Sequence, residues 1–276
     1  MKTFKTKKII LIWDFDGGIG QVNSTYPYNF HFENFETEIE NVRFILQVLR
    51  ENALRSCFAI TGFSAEPGPY PLFFPDLISE IASQGHEIAS HSWKHEWIPL
   101  FTEKQVSKSL FRSKKALDAV LPTLQSVVGF VPPHNRPMTW ISKGAYSFGD
   151  RGLYPLFKMG NLDSVFPLLK EQGYRWIRIS HRSIASKLFK KFSNLTGRTY
   201  LHQGVLVLEN HYNGFDTKVL DHILSTSYDT YTVSAHPFML SLAHKNESKA
   251  AFVHFIETLL QSGQSIQFVT PKDLLP

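Results

Sequence analysis

Cysteine is nearly missing from this chain: Cys57 is the only one in 276 residues. A single thiol excludes an intramolecular disulfide, and its place in the apolar run Ser56–Ile60 reads as a buried structural residue. Long hydrophobic runs are missing too. The basic N-terminus leads into only five apolar residues, Ile9–Trp13, before Asp14 interrupts them. That is too short for a signal-peptide core or a transmembrane segment, so the expectation is a cytoplasmic protein, with peripheral membrane attachment left open. No strong surplus of one charge exists either. The net charge is +5, and the basic residues form small scattered clusters at Lys2–Lys8, Arg112–Lys115 and Arg182–Lys191. A nucleic-acid binder concentrates such residues on one stripe, so no nucleic-acid partner is expected. Low-complexity linkers and internal repeats are absent. What remains is 43% hydrophobic, enough for a large core, and reads as a single domain over residues 1–276.

Short apolar runs alternate with helical periodicity. Lys8–Asp14, Arg55–Ile60, Glu87–Ser90, Gln125–Val131, Tyr174–Ile179, Val205–Glu209, Thr230–Ala235 and Ser265–Val269 read as strands. Glu36–Asn52, Asp76–Gln84, Glu103–Leu121, Ser164–Gln172 and Glu247–Ser262 read as helices. Gly85 is placed to cap the second of these, and Thr102 with Gln105 forms a capping box for the third. Strands alternating with helices imply a parallel sheet with crossovers. The expected fold is therefore α/β, a distorted (β/α) barrel of about seven strands. Gly17–Phe35 and Gly144–Leu162 read as long loops, of the kind that wall a substrate cleft.

Two segments carry chemistry. In Gly85-His86-Glu87-Ile88-Ala89-Ser90-His91-Ser92-Trp93-Lys94-His95, two histidines four apart follow a strand, and on one face of a helical turn both imidazoles reach one metal ion. In Trp13-Asp14-Phe15-Asp16-Gly17-Gly18, two carboxylates leave the end of a buried strand, where they need a metal or a cation for balance. Residues i and i+2 of an extended strand point the same way, so Asp14 and Asp16 can share a site. The aspartates alone also resemble the first motif of haloacid-dehalogenase-type phosphatases, with Asp14 as nucleophile and Thr61 in the second motif. Gly18 stands where those enzymes place threonine, and their chemistry leaves His91 and His95 unused.

Taken together with Gly129-Phe130-Val131-Pro132-Pro133-His134 and Ser234-Ala235-His236-Pro237, in this order and each at a strand end, the motifs resemble the polysaccharide deacetylase family, the NodB homology domain of carbohydrate esterase family 4. The resemblance covers roughly residues 8 to 270. It implies that Asp16, His91 and His95 bind a divalent metal with positions left open for water and substrate. Two imidazoles and a carboxylate suit zinc, and also cobalt, manganese or iron. It further implies Asp14 as general base, His236 as the acid that protonates the leaving amine, and the backbone N–H of His134 as an oxyanion donor. The expected substrate is an N-acylated sugar or glycan. Trp93 flanks the metal segment and is placed either to stack on a sugar ring or to pack the loop. The chain departs from the family at Val131, where an arginine usually orients the base. Arg136, Arg175 and Arg178 are the candidates to replace it. The family's fourth motif has no clean counterpart, and Trp176 reads as a barrel residue. These departures leave room for another C–N hydrolase of the same fold, acting for instance on a formamide, or for a non-catalytic glycan-binding relative.

Overall fold

Strand β1 (Lys7–Phe15) runs through the centre of the molecule, and its alternation organises everything else. Ile9, Leu11, Trp13 and Phe15 face outward into the core beneath the helices. Ile10 and Ile12 face the concave side with Cys57, Ala59, Ala89, Trp176, Leu206 and Leu208. All are essentially buried, and each large apolar side chain so removed from water contributes about 1.5–3 kcal/mol. The computed structural model describes residues 6–23, 33–98, 101–133, 144–145, 158–159, 162–179, 198–209, 212–241 and 248–276.

The other strands are β2 (Cys57–Ile60), β3 (Glu87–Ser90), β4 (Gly129–Phe130), β5 (Gly144–Ala145), β6 (Lys158–Met159), β7 (Trp176–Ile179), β8 (Arg198–His202), β9 (Val205–Glu209), β10 (Tyr212–Asn213), β11 (Thr230–Ala235) and β12 (Ile266–Phe268). Ten of them form one curled sheet in the order β10-β11-β1-β2-β3-β4-β7-β9-β8, with β12 also on β1. All neighbours are parallel except the β8–β9 hairpin. Residues Lys7–Ile9 of β1 pair with β12, whereas Ile12–Phe15 pair with β2. The helices are α1 (Gly17–Asn23), α2 (Glu33–Glu51), α3 (Pro75–Ser83), α4 (Glu103–Val120), α5 (Leu162–Glu171), α6 (Thr217–Ser225) and α7 (Lys249–Gln261). The fold is thus α/β, as expected, and the distorted barrel is a curled half-barrel with ten strands in its sheet rather than about seven.

The strands of this sheet without a counterpart in the sequence reading are β8 and β10, and the expected final strand is β12, paired to the lower half of β1. Two further expectations change. Gly17–Phe35 is not one loop: Gly17–Asn23 is helical and α2 already begins at Glu33. Three glycines in seven residues argue against a helix by propensity, but close packing requires them. A Cβ on Gly20 would stand 2.7 Å from the Asp16 Cβ, and one on Gly18 would stand 2.8 Å from Leu72. The stretch Gln125–Val131 contributes only Gly129–Phe130 to the sheet. The α4 capping box forms as the sequence implies, with Thr102 Oγ1 accepting from the Gln105 N–H.

Candidate active site

The concave face becomes polar toward the C-terminal ends of its strands. In β1 the inward series Ile10, Ile12 continues to Asp14. In β7, Trp176 is followed two residues on by Arg178. In β3, Glu87 and Ala89 are followed by His91 just past the strand. In β11, Tyr231, Val233 and Ala235 face the outer core, which leaves Thr232, Ser234 and then His236 on the other side. Alternation alone therefore aims Asp14, His91, Arg178 and His236 at one place, the end of a parallel sheet where ligands bind.

Asp16 Oδ1 lies 3.3 Å from His91 Nε2 and 3.3 Å from His95 Nε2, and one ligand atom from each of the three falls within 4.8 Å of the others. Donors about 2.0–2.1 Å from a shared tetrahedral centre would be about 3.3 Å apart. His91 Nδ1 is 2.7 Å from the Val131 carbonyl oxygen, which can only accept. The proton therefore sits on Nδ1, and Nε2 keeps its lone pair for a cation. Asp16 Oδ1 is buried without a hydrogen-bond partner among the described residues, a costly arrangement unless a cation completes it. These donors fit a divalent metal. Burial opposes ionisation of Asp16, but the adjoining His95 and His91 imidazoles outweigh it and hold the carboxyl well below its usual range.

The two histidines do not sit on a helix. His91–His95 is a turn in which Ser92 and His95 have φ of 65° and 63°, a left-handed conformation that non-glycine residues hold only when their surroundings enforce it. Here the enforcement is visible. Gly62 and Phe63 N–H groups donate to the Ser92 and Trp93 carbonyls, each at 2.9 Å. The Trp93 N–H donates to Ser109 Oγ, and Glu96 accepts from the Lys94 N–H. Gly62 is needed because a Cβ there would stand 2.3 Å from Ser113 Cα on α4.

Asp14 is paired with Arg178, whose Nη2 donates to Oδ2 at 2.5 Å, both fully inside the protein. Burial pushes the Asp14 carboxyl up, but the Arg178 guanidinium, with His91 and His236, brings it down to about 2. Its Oδ1 has no hydrogen-bond partner among the described residues. His236 Nε2 stands 3.9 Å from Asp14 Oδ2, and its side chain is 32% exposed, more open than the other site residues. Of the three arginines considered in place of Val131, Arg178 occupies the site. Arg175 reaches the C-terminal Pro276 carbonyl instead, and Arg136 lies outside the described residues, as does His134.

Trp93 is corrected: it is 5% exposed, lies under the Arg112 guanidinium at 4.1 Å and meets Phe63 edge-on, so it packs the turn and offers no face to a sugar. Trp176 is a barrel residue, as expected, and donates to Glu87 at 2.7 Å. One acid in the site went unnoticed in the sequence. Glu38 on α2 is fully buried and accepts from Gln21 Nε2 at 2.8 Å. Burial, then the Asp16 charge, raises its carboxyl well above the usual range. The signal was available, because Glu38 extends the apolar face of Val42, Ile45 and Leu49 by one turn.

Residues 31–146 match the family described as Polysaccharide deacetylase. A peptidoglycan-N-acetylglucosamine deacetylase of Bacillus cereus is 24% identical over 176 residues, covering 49% of this chain and 78% of that protein. A Mycobacterium smegmatis protein provisionally described as a polysaccharide deacetylase shares the fold with a TM-score of 0.68 at 17% identity, over 100% of this chain and 91% of its own. An allantoinase shares it with a TM-score of 0.65 at 12% identity, over 99% and 90%. At such identities the likeness between structures speaks for the fold.

Proposed function

We propose that this chain, whose residues 31–146 match the polysaccharide deacetylase family, is a metal-dependent hydrolase that removes an N-acetyl group from an amino sugar or polysaccharide. We read residues 1–276 as one such domain. The observation that carries the reading is the buried Asp16–His91–His95 cluster set beside the Asp14–Arg178 pair. A divalent cation, zinc by the donor set, would supply Lewis acidity toward the acyl carbonyl and toward water.

The remaining work falls to the chain. Asp14, held near 2, is ionised throughout the physiological range and accepts the proton of the attacking water at its open Oδ1. So weak a base needs an acidified proton source, which is why the ligand cluster and the base belong together. Arg178 fixes the Asp14 carboxylate and keeps it charged in a dry site. His236 protonates the leaving nitrogen, because an amide nitrogen departs poorly as an anion. The His134 N–H is the proposed donor to the developing oxyanion, and Arg136 is proposed as a substrate contact.

The test is acetate release from N-acetylated amino-sugar oligomers by the metal-loaded protein. Asp14→Asn is expected to lower kcat by about 10²-fold or more. His91→Ala is expected to lose bound metal along with activity. Acetate release untouched by both changes would overturn the proposal. A panel that includes formamides and cyclic amides separates deacetylation from cleavage of another C–N bond. Glycan binding with no turnover on any of them would point to a non-catalytic relative.

A further inference from the structure

The face of α2 that meets the site carries Glu38 and, one turn on, Asn41, and both are fully buried. Asn41 commits both its donors and its acceptor oxygen, three hydrogen bonds in all, to one distant segment. Its Nδ2 donates to the Pro237 carbonyl at 2.8 Å and to Ser241 Oγ at 2.8 Å, and Ser241 Oγ donates back to Asn41 Oδ1 at 3.0 Å. These partners bracket the 3₁₀ helix Pro237–Ser241, which begins at the residue after His236. On its other side His236 follows Ala235, the last residue of β11, which lies beside Trp13 of β1. His236 is thus strung between a strand end and a short helix whose two ends Asn41 holds. Pro237 has a fixed φ and no N–H, so its carbonyl is the one backbone polar group there that can be gripped, and Asn41 grips it.

We propose that Asn41 is a positioning residue for the proton donor: it sets where the His236 imidazole stands relative to Asp14. The inference rests on the reading of His236 as the acid that protonates the leaving nitrogen. In that step the C–N bond breaks, its electron pair stays on nitrogen, and the proton moves from the imidazole N–H to that nitrogen. His236 is faced by Asp14 and Asp16 from the end of β1, by Glu38 from α2, and by the Phe238 ring at 5.5 Å. Charge alone would draw a protonated imidazole toward these acids. The observed 3.9 Å separation from Asp14 is longer than a hydrogen bond, and it depends on where the backbone at Pro237 is anchored.

A purely structural clamp would lower stability and leave turnover per folded molecule unchanged, so the test reads the acid step. Asn41→Ala is assayed on an N-acetylated amino sugar, whose amine must be protonated to leave, and on p-nitrophenyl acetate, whose phenolate leaves unaided. Expected are a kcat loss of about tenfold on the amide, KM within about twofold, unchanged bound metal, and ester turnover within about twofold. Ser241→Ala keeps the bond to Pro237 and is expected to lose less than Asn41→Ala on the amide. Equal losses on amide and ester, or full amide turnover in Asn41→Ala, would overturn the inference. Should the alanine variant not fold, Asn41→Ser, too short to span both partners, carries the same expectation. His236→Ala separates the two levels. If it keeps full amide turnover, the acid reading itself fails. If it loses the amide and keeps the ester while Asn41→Ala keeps both, only the positioning role falls.

Discussion

Asp14 stays ionised in a site where burial works against it because Arg178 lies 2.5 Å away and equally buried. Val131, at the family's arginine position, keeps a role through its backbone, since its carbonyl fixes the His91 tautomer. The replacement was legible only in part. Arg178 stood among three candidates in the sequence, and what selects it is its place two residues beyond Trp176 on the inward face. At the opposite end of the same interior, Glu87 accepts from Trp176 Nε1 and from the Lys272 N–H, yet burial pushes its carboxyl up to about 7. A carboxyl raised from 4.5 contributes stability that is complete below pH 4.5 and is lost as pH climbs through 7. The protein is therefore expected to lose on the order of 3 kcal/mol between about pH 5 and 8. Glu87→Gln is expected to flatten that slope in denaturant titrations across the range. A slope equal in both proteins would refute the assignment.

Among the elements, the His91–His95 turn shows how spacing can be informative for a different geometric reason than the one it suggests. Four-residue spacing implied a helical face, whereas the chain brings the rings together with two left-handed residues held by Gly62, Phe63 and Ser109. β4 is short, yet it is decisive for the same reason that Gly20 is: a neighbouring side chain fills the space a Cβ would need. A Cβ on Gly129 would come within 2.1 Å of the Trp176 ring, which Glu87 pins in place. Gly129→Ala is expected to cost about 1–3 kcal/mol, read as a lowered denaturant midpoint at unchanged slope. A midpoint equal to that of the parent would show that the ring can move aside. Helix α1 escaped the sequence reading because its glycines serve this kind of packing, which local propensity does not register.

At the scale of the whole molecule, residues from β1, the turn after β3, β7 and the end of β11 meet in one volume, and a cation bound there would tie these strands together. Added at about a hundredfold excess over Kd, zinc is expected to stabilise the protein by about 2.7 kcal/mol. That corresponds to a Tm increase of roughly 5–10 °C. The increase should vanish with a chelator and in His91→Ala; a Tm indifferent to metal would count against the ligand cluster. Among the described residues no helix is long and apolar enough to cross a membrane. The order of strands and helices and the α/β class follow from periodicity, because alternation along a strand dictates which side chains share a face, and the grouping of Asp14, Asp16, His91, His95 and His236 follows from the family resemblance that the ordered motifs carry. The partner of Asp14, the inward burial of Trp93 and the grip of Asn41 on the segment after His236 were settled only in three dimensions. Each depends on contacts between residues far apart in the chain, 164 positions for Asp14 and Arg178 and 196 for Asn41 and Pro237, and no local pattern encodes which distant residue will arrive.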